Sequence, residues 1–157
     1  MTKFLIIAGT QDSGKTTTAG MVYKELLLDA KDVHLTDGFG NALPIDDVLF
    51  ENGKPKDFIA YMVVKDKKVV IVSIGDSPQY LKKQIENYLN EVAYFVCCLR
   101  TQNREGSSRR MVFADYVDYL KEEFWIEYSE DETQKFAVKE KTVNQIVSVI
   151  KNVKPIK

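Results

Sequence analysis

"FLIIAGTQDSGKTTTAGMVYKELL", residues 4–27, decides how the chain is read. Its start, within "KFLIIAG", is a short apolar run of the kind buried on both faces in a parallel sheet. Its end carries Ala19, Val22, Tyr23, Leu26 and Leu27 at three- and four-residue steps, which predicts one helix face and a helix ending near Asp29. Between the two stand Gly9, Gly14, Lys15 and Thr16, spaced Gly-x-x-x-x-Gly-Lys-Thr. A strand that stops at a glycine-rich turn and feeds a helix aims backbone N–H groups, and the positive helix end, at one point. Polyphosphate fits there. Gly9 and Gly14 permit the backbone shapes and close approach that a side chain would block. Lys15 can reach terminal phosphates, and the Thr16 hydroxyl can ligate Mg²⁺. Two glycines, a lysine and a hydroxyl residue at this spacing arise by chance in only about one chain in two hundred of this length.

Working outward, β-rich runs alternate with helical periodicity, which predicts an α/β fold. A short strand is expected at "VHLTD", then a long excursion over 38–56, rich in Gly, Pro and Asn. The run "DFIAYMVVKDKKVVIVSIGD" predicts an antiparallel hairpin that turns at "KDKK" without a glycine. Ser77 and Pro78 supply the start signal of a helix with Leu81, Ile85, Tyr88, Leu89 and Val92 on one face. "AYFVCCLR" is a buried strand, and "SSRRMVFADYVDYLKEE" is a helix with Val112, Phe113, Tyr116, Val117 and Leu120 inward. A final strand is expected within "FWIEYSEDETQKF", and a closing helix over Lys139–Val153 with Val143, Ile146, Val147, Ile150 and Val153 inward.

The 157 residues are expected to form one domain, 1–157. With 22 basic and 23 acidic residues, whole-chain charge suggests neither a nucleic-acid nor a membrane-surface partner. The chain has no run of about 20 apolar residues, and its start is too short for a signal peptide, so a cytoplasmic location is expected. Cys97 and Cys98 are strand neighbours that point to opposite faces, which predicts two reduced core thiols. The lone His34 is expected to be structural, with no His-based metal site around it.

The motif at Gly9, Gly14, Lys15 and Thr16 resembles the Walker A loop of the P-loop NTPase superfamily. The resemblance implies a three-layer α/β P-loop NTPase fold with a mostly parallel sheet and one antiparallel hairpin. It implies binding of ATP, or another NTP, with Mg²⁺ through Gly9, Thr10, Gln11, Asp12, Ser13, Gly14, Lys15, Thr16 and Thr17. The superfamily's second acid falls on Asp76, at the end of "VVIVSIGD", which would hold Mg²⁺ together with Thr16. As a plain turn, Gly75 and Asp76 would only lead into the next helix.

Two further resemblances concern the acceptor. "LRTQNREGSSRR" looks like the arginine-bearing lid of small nucleotide and nucleoside kinases, with Arg100, Arg104 and Arg109 as phosphate clamps beside Lys15. The other reading of each arginine is a solvated basic loop. Asp37, before a glycine-rich turn, is placed like the acid that orients an acceptor hydroxyl, or is a turn former. Phe39, Phe50, Tyr61 and Tyr80 are candidates for stacking on a ring. The expected partners are a nucleotide and a small-molecule acceptor. Small GTPases are also similar, but no Asp-x-x-Gly follows Asp76 and no Asn-Lys-x-Asp occurs. A nucleotide sensor that binds without turnover is the third class.

Overall fold

Apolar runs of this chain become strands of one sheet, and its periodic runs become helices on both faces of that sheet. A computed structural model describes residues 1–10, 14–45, 50–51, 54–101, 106–126 and 131–152. Strand β1 (Lys3–Gly9) leads to helix α1 (Lys15–Leu27) and strand β2 (Ala30–Thr36). A two-residue ladder of β3 (Phe50–Glu51) and β4 (Lys54–Pro55) precedes the hairpin of β5 (Ile59–Val64) and β6 (Lys67–Val72). Then come α2 (Pro78–Tyr88), β7 (Tyr94–Arg100), α3 (Ser108–Asp115), β8 (Lys121–Ile126) and α4 (Glu132–Lys151).

Strand periodicity divides the core in two. From β1, Leu5 and Ile7 join Val22, Leu26, Ile146 and Ile150 under α1 and α4, while Phe4, Ile6 and Ala8 join Leu81, Ile85 and Val112 under α2 and α3. All five β1 residues are fully buried, as the unbroken apolar run requires. The neighbouring thiols separate in the same way, Cys98 to the first core and Cys97 to the second.

The strand order is β2-β5-β6-β7-β1-β8, and the sheet is mixed. β6–β7, β7–β1 and β1–β8 pair in parallel, whereas β2–β5 and β5–β6 pair antiparallel. This corrects the expectation of a three-layer P-loop NTPase fold with a mostly parallel sheet and a single hairpin: antiparallel pairing runs across three strands, and the order is not that parallel layout. The physical cause is the connections. A parallel neighbour needs a crossover, usually a helix, and none separates β2, β5 and β6 among the described residues.

Three helix boundaries also differ from the sequence pattern: the helix expected through Val92 stops at Tyr88, beyond which Asn90 turns the chain at φ 65°. The helix expected over 107–123 stops at Asp115, because residues from Lys121 onward pair with β1 and bury Phe124 and Ile126. Val117 and Leu120, expected inward, are exposed. The expected final strand therefore begins earlier than "FWIEYSEDETQKF", and its residues 127–130 lie outside the described residues, as does Val153. α4 starts at Glu132, about two turns before Lys139.

The hairpin turn without glycine is real: Val64 pairs with Lys67, and both turn residues are left-handed, Lys65 at φ 48° and Asp66 at φ 66°. That two-residue geometry favours Asn-Gly, and an L-residue there costs roughly 1–2 kcal/mol. The exposed Lys31–Asp66 pair, at 3.7 Å, offsets little of this. The double variant Lys65→Asn, Asp66→Gly is expected to raise the urea midpoint at unchanged slope, by an amount worth about 1 kcal/mol. An unchanged midpoint would mean the turn carries no such strain.

Candidate functional site

Pairing fixes where the chain leaves the sheet. Gly9 is the last residue of β1 and lies between Arg100 of β7 and Ile126 of β8. After the loop, Gly14 adopts a left-handed conformation, φ 95° and ψ 25°, and α1 begins without a side-chain cap. The backbone favours a glycine there, since an L-residue is strained at that φ; the position of a Cβ lies 2.4 Å from Lys139 Cε, the mobile end of a long side chain. Lys139, from α4, thus brings a second ammonium close to Gly14. The Lys15 ammonium donates to the loop carbonyls of Gly9 at 3.2 Å and Thr10 at 2.8 Å. Gln11, Asp12 and Ser13 lie outside the described residues.

The first turn of α1 opens on a cavity of about 370 Å³ lined by Gly14–Thr17 on one side and by Asp57, Ser73–Asp76, Cys98 and Arg100 on the other. The far wall is set by a close backbone approach. A Cβ on Gly75 would lie 1.8 Å from the Cys98 carbonyl oxygen, so only glycine lets the chain pass β7 there. Just beyond it, Asp76 accepts from Arg100 Nε at 3.1 Å, an ion pair on the cavity rim. The site therefore brings Lys15, Thr16, Thr17, Asp76 and Arg100 together, as their places in the sequence predicted.

Asp57 is the residue that sequence reasoning missed. β5 enters the sheet where β6 leaves it, so the residue ahead of β5 comes to the same edge as the end of β6. Ser73 Oγ accepts the Phe58 amide at 2.8 Å and holds this start in place. The usable signal was the hairpin register: with a turn at Lys65–Asp66, Asp57 falls opposite Ile74. Desolvation raises the Asp57 carboxyl above its ordinary value; Ser73 works against this, and nearby Asp76 adds to it. Lys139 had no comparable signal, since its helix was read only from that residue onward.

The remaining candidates fall elsewhere. Arg109 does not reach into solvent as a lid residue would: it is 7% exposed, donates from Nε to the Arg100 carbonyl at 2.7 Å, and has Nη1 at 2.6 Å from Glu123. Its guanidinium lies between the rings of Phe113 and Trp125, at 5.4 and 5.5 Å. It clasps α3 and β8 to the end of β7. Arg104 lies outside the described residues. Asp37 is a turn former, accepting from the amides of Phe39 and Asn41 and from the Asn41 side chain, and these bonds hold its carboxyl below the ordinary range. It does not line the cavity.

Among the aromatic candidates, Tyr61 stacks on Tyr88, Tyr80 donates to the Gly38 carbonyl, and Phe39 is almost fully exposed. Phe50's side chain is outside the described residues. Cys98 lines the cavity as a thiol, pushed up to about 12 by burial, and burial likewise raises Cys97. Neither acts as a nucleophile near neutral pH.

Comparison with protein-family models, curated proteins and solved structures finds no match for this chain. Among the described residues, no helix is long and apolar enough to cross a membrane.

The raised Asp57 carboxyl gives a signed expectation. A carboxyl with a folded-state value above its unfolded one disfavours folding when ionised, so its stability cost is present near pH 7 and gone below the unfolded value of about 3.9. Asp57→Asn is expected to raise the melting temperature at pH 7 and to leave it unchanged near pH 3. Equal shifts at both values would show that charge is not the cause.

Proposed function

We propose that this site binds the triphosphate of ATP, or another NTP, with Mg²⁺, and transfers the γ-phosphoryl group to a small nucleotide-like acceptor. The observation that carries the reading is the uncapped start of α1, opening with Lys15, Thr16 and Thr17 on a cavity whose other wall holds two carboxylates and an arginine. First-turn amides without intrahelical partners, a helix dipole and an ammonium are an anion site built from local geometry. That chemistry depends on the strand, loop and helix, not on the order of the rest of the sheet.

The donor set suits Mg²⁺, which takes a hydroxyl, one or two carboxylates and phosphate oxygens while keeping several waters. Thr16 and Asp76 line the cavity and would hold it. Bound there, the ion would neutralise charge on the transferring phosphoryl group. The chain's own groups do the rest. Lys15 and Arg100 supply positive charge at the phosphates. Asp57, with its raised proton affinity, is better placed than Asp37 to take the acceptor proton. In the step, the acceptor oxygen bonds to the γ phosphorus as the bond to the β–γ bridging oxygen breaks. The acceptor proton passes to Asp57, and ADP leaves. Two buried free thiols suit a reducing compartment, and a cytoplasmic location is part of this proposal.

The sensor reading draws support from the Arg100–Asp76 pair, which engages both residues with each other. Turnover separates the two. ATP consumption measured against nucleosides, nucleoside monophosphates and small metabolites is expected to accelerate with one acceptor class. Lys15→Ala is expected to lower it by about a hundredfold or more while leaving the melting temperature nearly unchanged. Binding without any turnover would favour the sensor, and full activity in Lys15→Ala would remove the loop from the site.

Asp76→Asn tests the metal shell. It is expected to weaken Mg²⁺-dependent nucleotide binding, followed by titration calorimetry, far more than Mg²⁺-free binding. Equal effects on both would take Asp76 out of that shell.

A further inference from the structure

The six-stranded sheet has two outer edges, and the chain treats them differently. The β2 edge is blunted. Its register breaks between Lys31 and His34, where Asp32 turns left-handed at φ 53°, and on its outer side Thr36 pairs with Ala42 while Leu43 donates to the Leu35 carbonyl. A bulge and a covering segment are ordinary protections of an edge strand. The β8 edge has neither. Lys121–Ile126 pairs with Phe4–Gly9 without a register shift, and among the described residues no backbone hydrogen bond is made on its other side. Phe4 donates to the Leu120 carbonyl at 2.9 Å, and successive residues of a strand turn their backbone polar groups to opposite edges. Glu122, Phe124 and Ile126 therefore face β1, while Lys121, Glu123 and Trp125 turn their amides and carbonyls outward.

Charged side chains guard many open edges. Those of β8 are already engaged within the chain: Glu122 with Lys3 at 2.9 Å, Glu123 with Arg109 at 2.6 Å, and Lys121 with the carbonyls of Tyr116 and Tyr119. Trp125 is left 56% exposed, with the Arg109 guanidinium against its ring and, among the described residues, no acceptor for its indole N–H. We propose that β8 pairs antiparallel with β8 of a second copy of this chain, continuing the sheet across a two-fold axis at Phe124. The proposal owes nothing to the reading of the cavity. Residues opposed across such a pair lie on the same side of the sheet, so the axis passes through a residue. An axis at Lys121, Glu122 or Glu123 sets identical charges against each other, which destabilises a pair. An axis at Trp125 or Ile126 pairs no more than Phe124–Ile126. An axis at Phe124 opposes Phe124 to itself, Trp125 to Glu123 and Ile126 to Glu122, so Glu122–Ile126 all pair and no like charges meet. Each indole N–H then stands across from the Glu123 carboxylate of the second copy, and the outward amides and carbonyls of Glu123 and Trp125 satisfy one another.

The experiment is sedimentation velocity on the full chain and on two variants at rising concentration. The unaltered chain is expected to pass from monomer to dimer. Trp125→Glu sets a carboxylate opposite Glu123 and is expected to lose the dimer, whereas Trp125→Lys sets an ammonium there and is expected to keep it. Both variants lose the ring against Arg109, so the contrast between them reports the facing residue, and circular dichroism checks that each is folded. Amide hydrogen exchange gives a readout with no substitution. In the unaltered chain the amides of Glu123 and Trp125 are expected to exchange more slowly as the dimer forms, while those of Glu122 and Phe124, already bonded to β1, change less.

A chain that stays monomeric at every concentration reached overturns the proposal and leaves this edge to a strand of another protein. A dimer kept equally by both variants overturns it, since the contact then lies elsewhere. Loss of the dimer in both folded variants overturns it too, because only an axis at Phe124 opposes residue 125 to Glu123. Should either variant fail to fold, the exchange pattern decides: slowing at Glu123 and Trp125 supports pairing through this edge, and amides there that ignore concentration overturn it. ATP turnover enters none of these outcomes, so the phosphoryl-transfer reading stands or falls separately.

Discussion

Everything at the cavity edge depends on β1 being a strand with no exposed side. It pairs on both edges, with β7 and β8, and its residues Phe4–Ala8 have no solvent exposure. Burying each large apolar side chain contributes about 1.5–3 kcal/mol, so the position of this strand is the least negotiable feature of the fold. A strand fixed in that way must end where its apolar run ends, at Gly9, and the chain can only turn out of the sheet there. The parallel pairing then brings the ends of β7 and β8 to the same level, so Arg100 stands beside Gly9 whatever the loops do. The placement of one cation next to the loop is thus a consequence of core packing and register, with no separate device needed.

The opposite wall is held by a contact of a different kind. Gly75 passes so close to the Cys98 carbonyl that no Cβ fits, and this near-touching of backbones is what places Asp76 within reach of Arg100. Cys98 is also the residue whose thiol approaches the Lys15 carbonyl, at 3.6 Å. The end of β7 is therefore wedged between the start of α1 and the end of β6. A displacement of β7 would move Lys15, Asp76 and Arg100 together. Arg109 resists such a displacement, since its Nε holds the Arg100 carbonyl while its guanidinium lies between Phe113 and Trp125.

What was legible in the sequence follows the range of the interactions responsible. β1, α1 and the start of α2 are set by local signals, namely an unbroken apolar run, three- and four-residue periodicity, and the Ser77 cap, and they form as those signals predict, although α2 ends at Tyr88, short of Leu89 and Val92. The hairpin was legible even without a glycine. What failed depended on distant partners. Residues 116–120 carry helical spacing, yet the pull of β1 on Lys121–Ile126 ends α3 at Asp115, and Val117 and Leu120 are left in solvent. The direction of β2 is set by β5, across an excursion whose pattern says nothing of pairing. At the cavity, the positions of Gly14–Thr17 and Asp76 were legible because they lie at the ends of local elements. Asp57 was hidden because its importance comes from a register, and Arg109 was misread because a charged side chain in a basic segment gives no sign that two rings and a carbonyl await it.

The carboxylates show how the site and the stability of the fold pull against each other. Asp57 and Asp76 stand close enough to raise the Asp57 carboxyl, which is already raised by desolvation, and among the described residues Asp76 pairs with Arg100 while Asp57 accepts from Ser73 Oγ at 3.5 Å. A fold optimised for stability alone would place an amide or a hydroxyl at position 57, where Ser73 already organises the backbone of Phe58. A partly desolvated carboxylate held by one hydroxyl is instead what a site needs if it is to take a proton at the moment a ligand arrives. Local costs of this kind persist where the surrounding structure is over-determined. Here the over-determination comes from the buried centre of the sheet, which lets a carboxyl with a raised proton affinity sit at its edge.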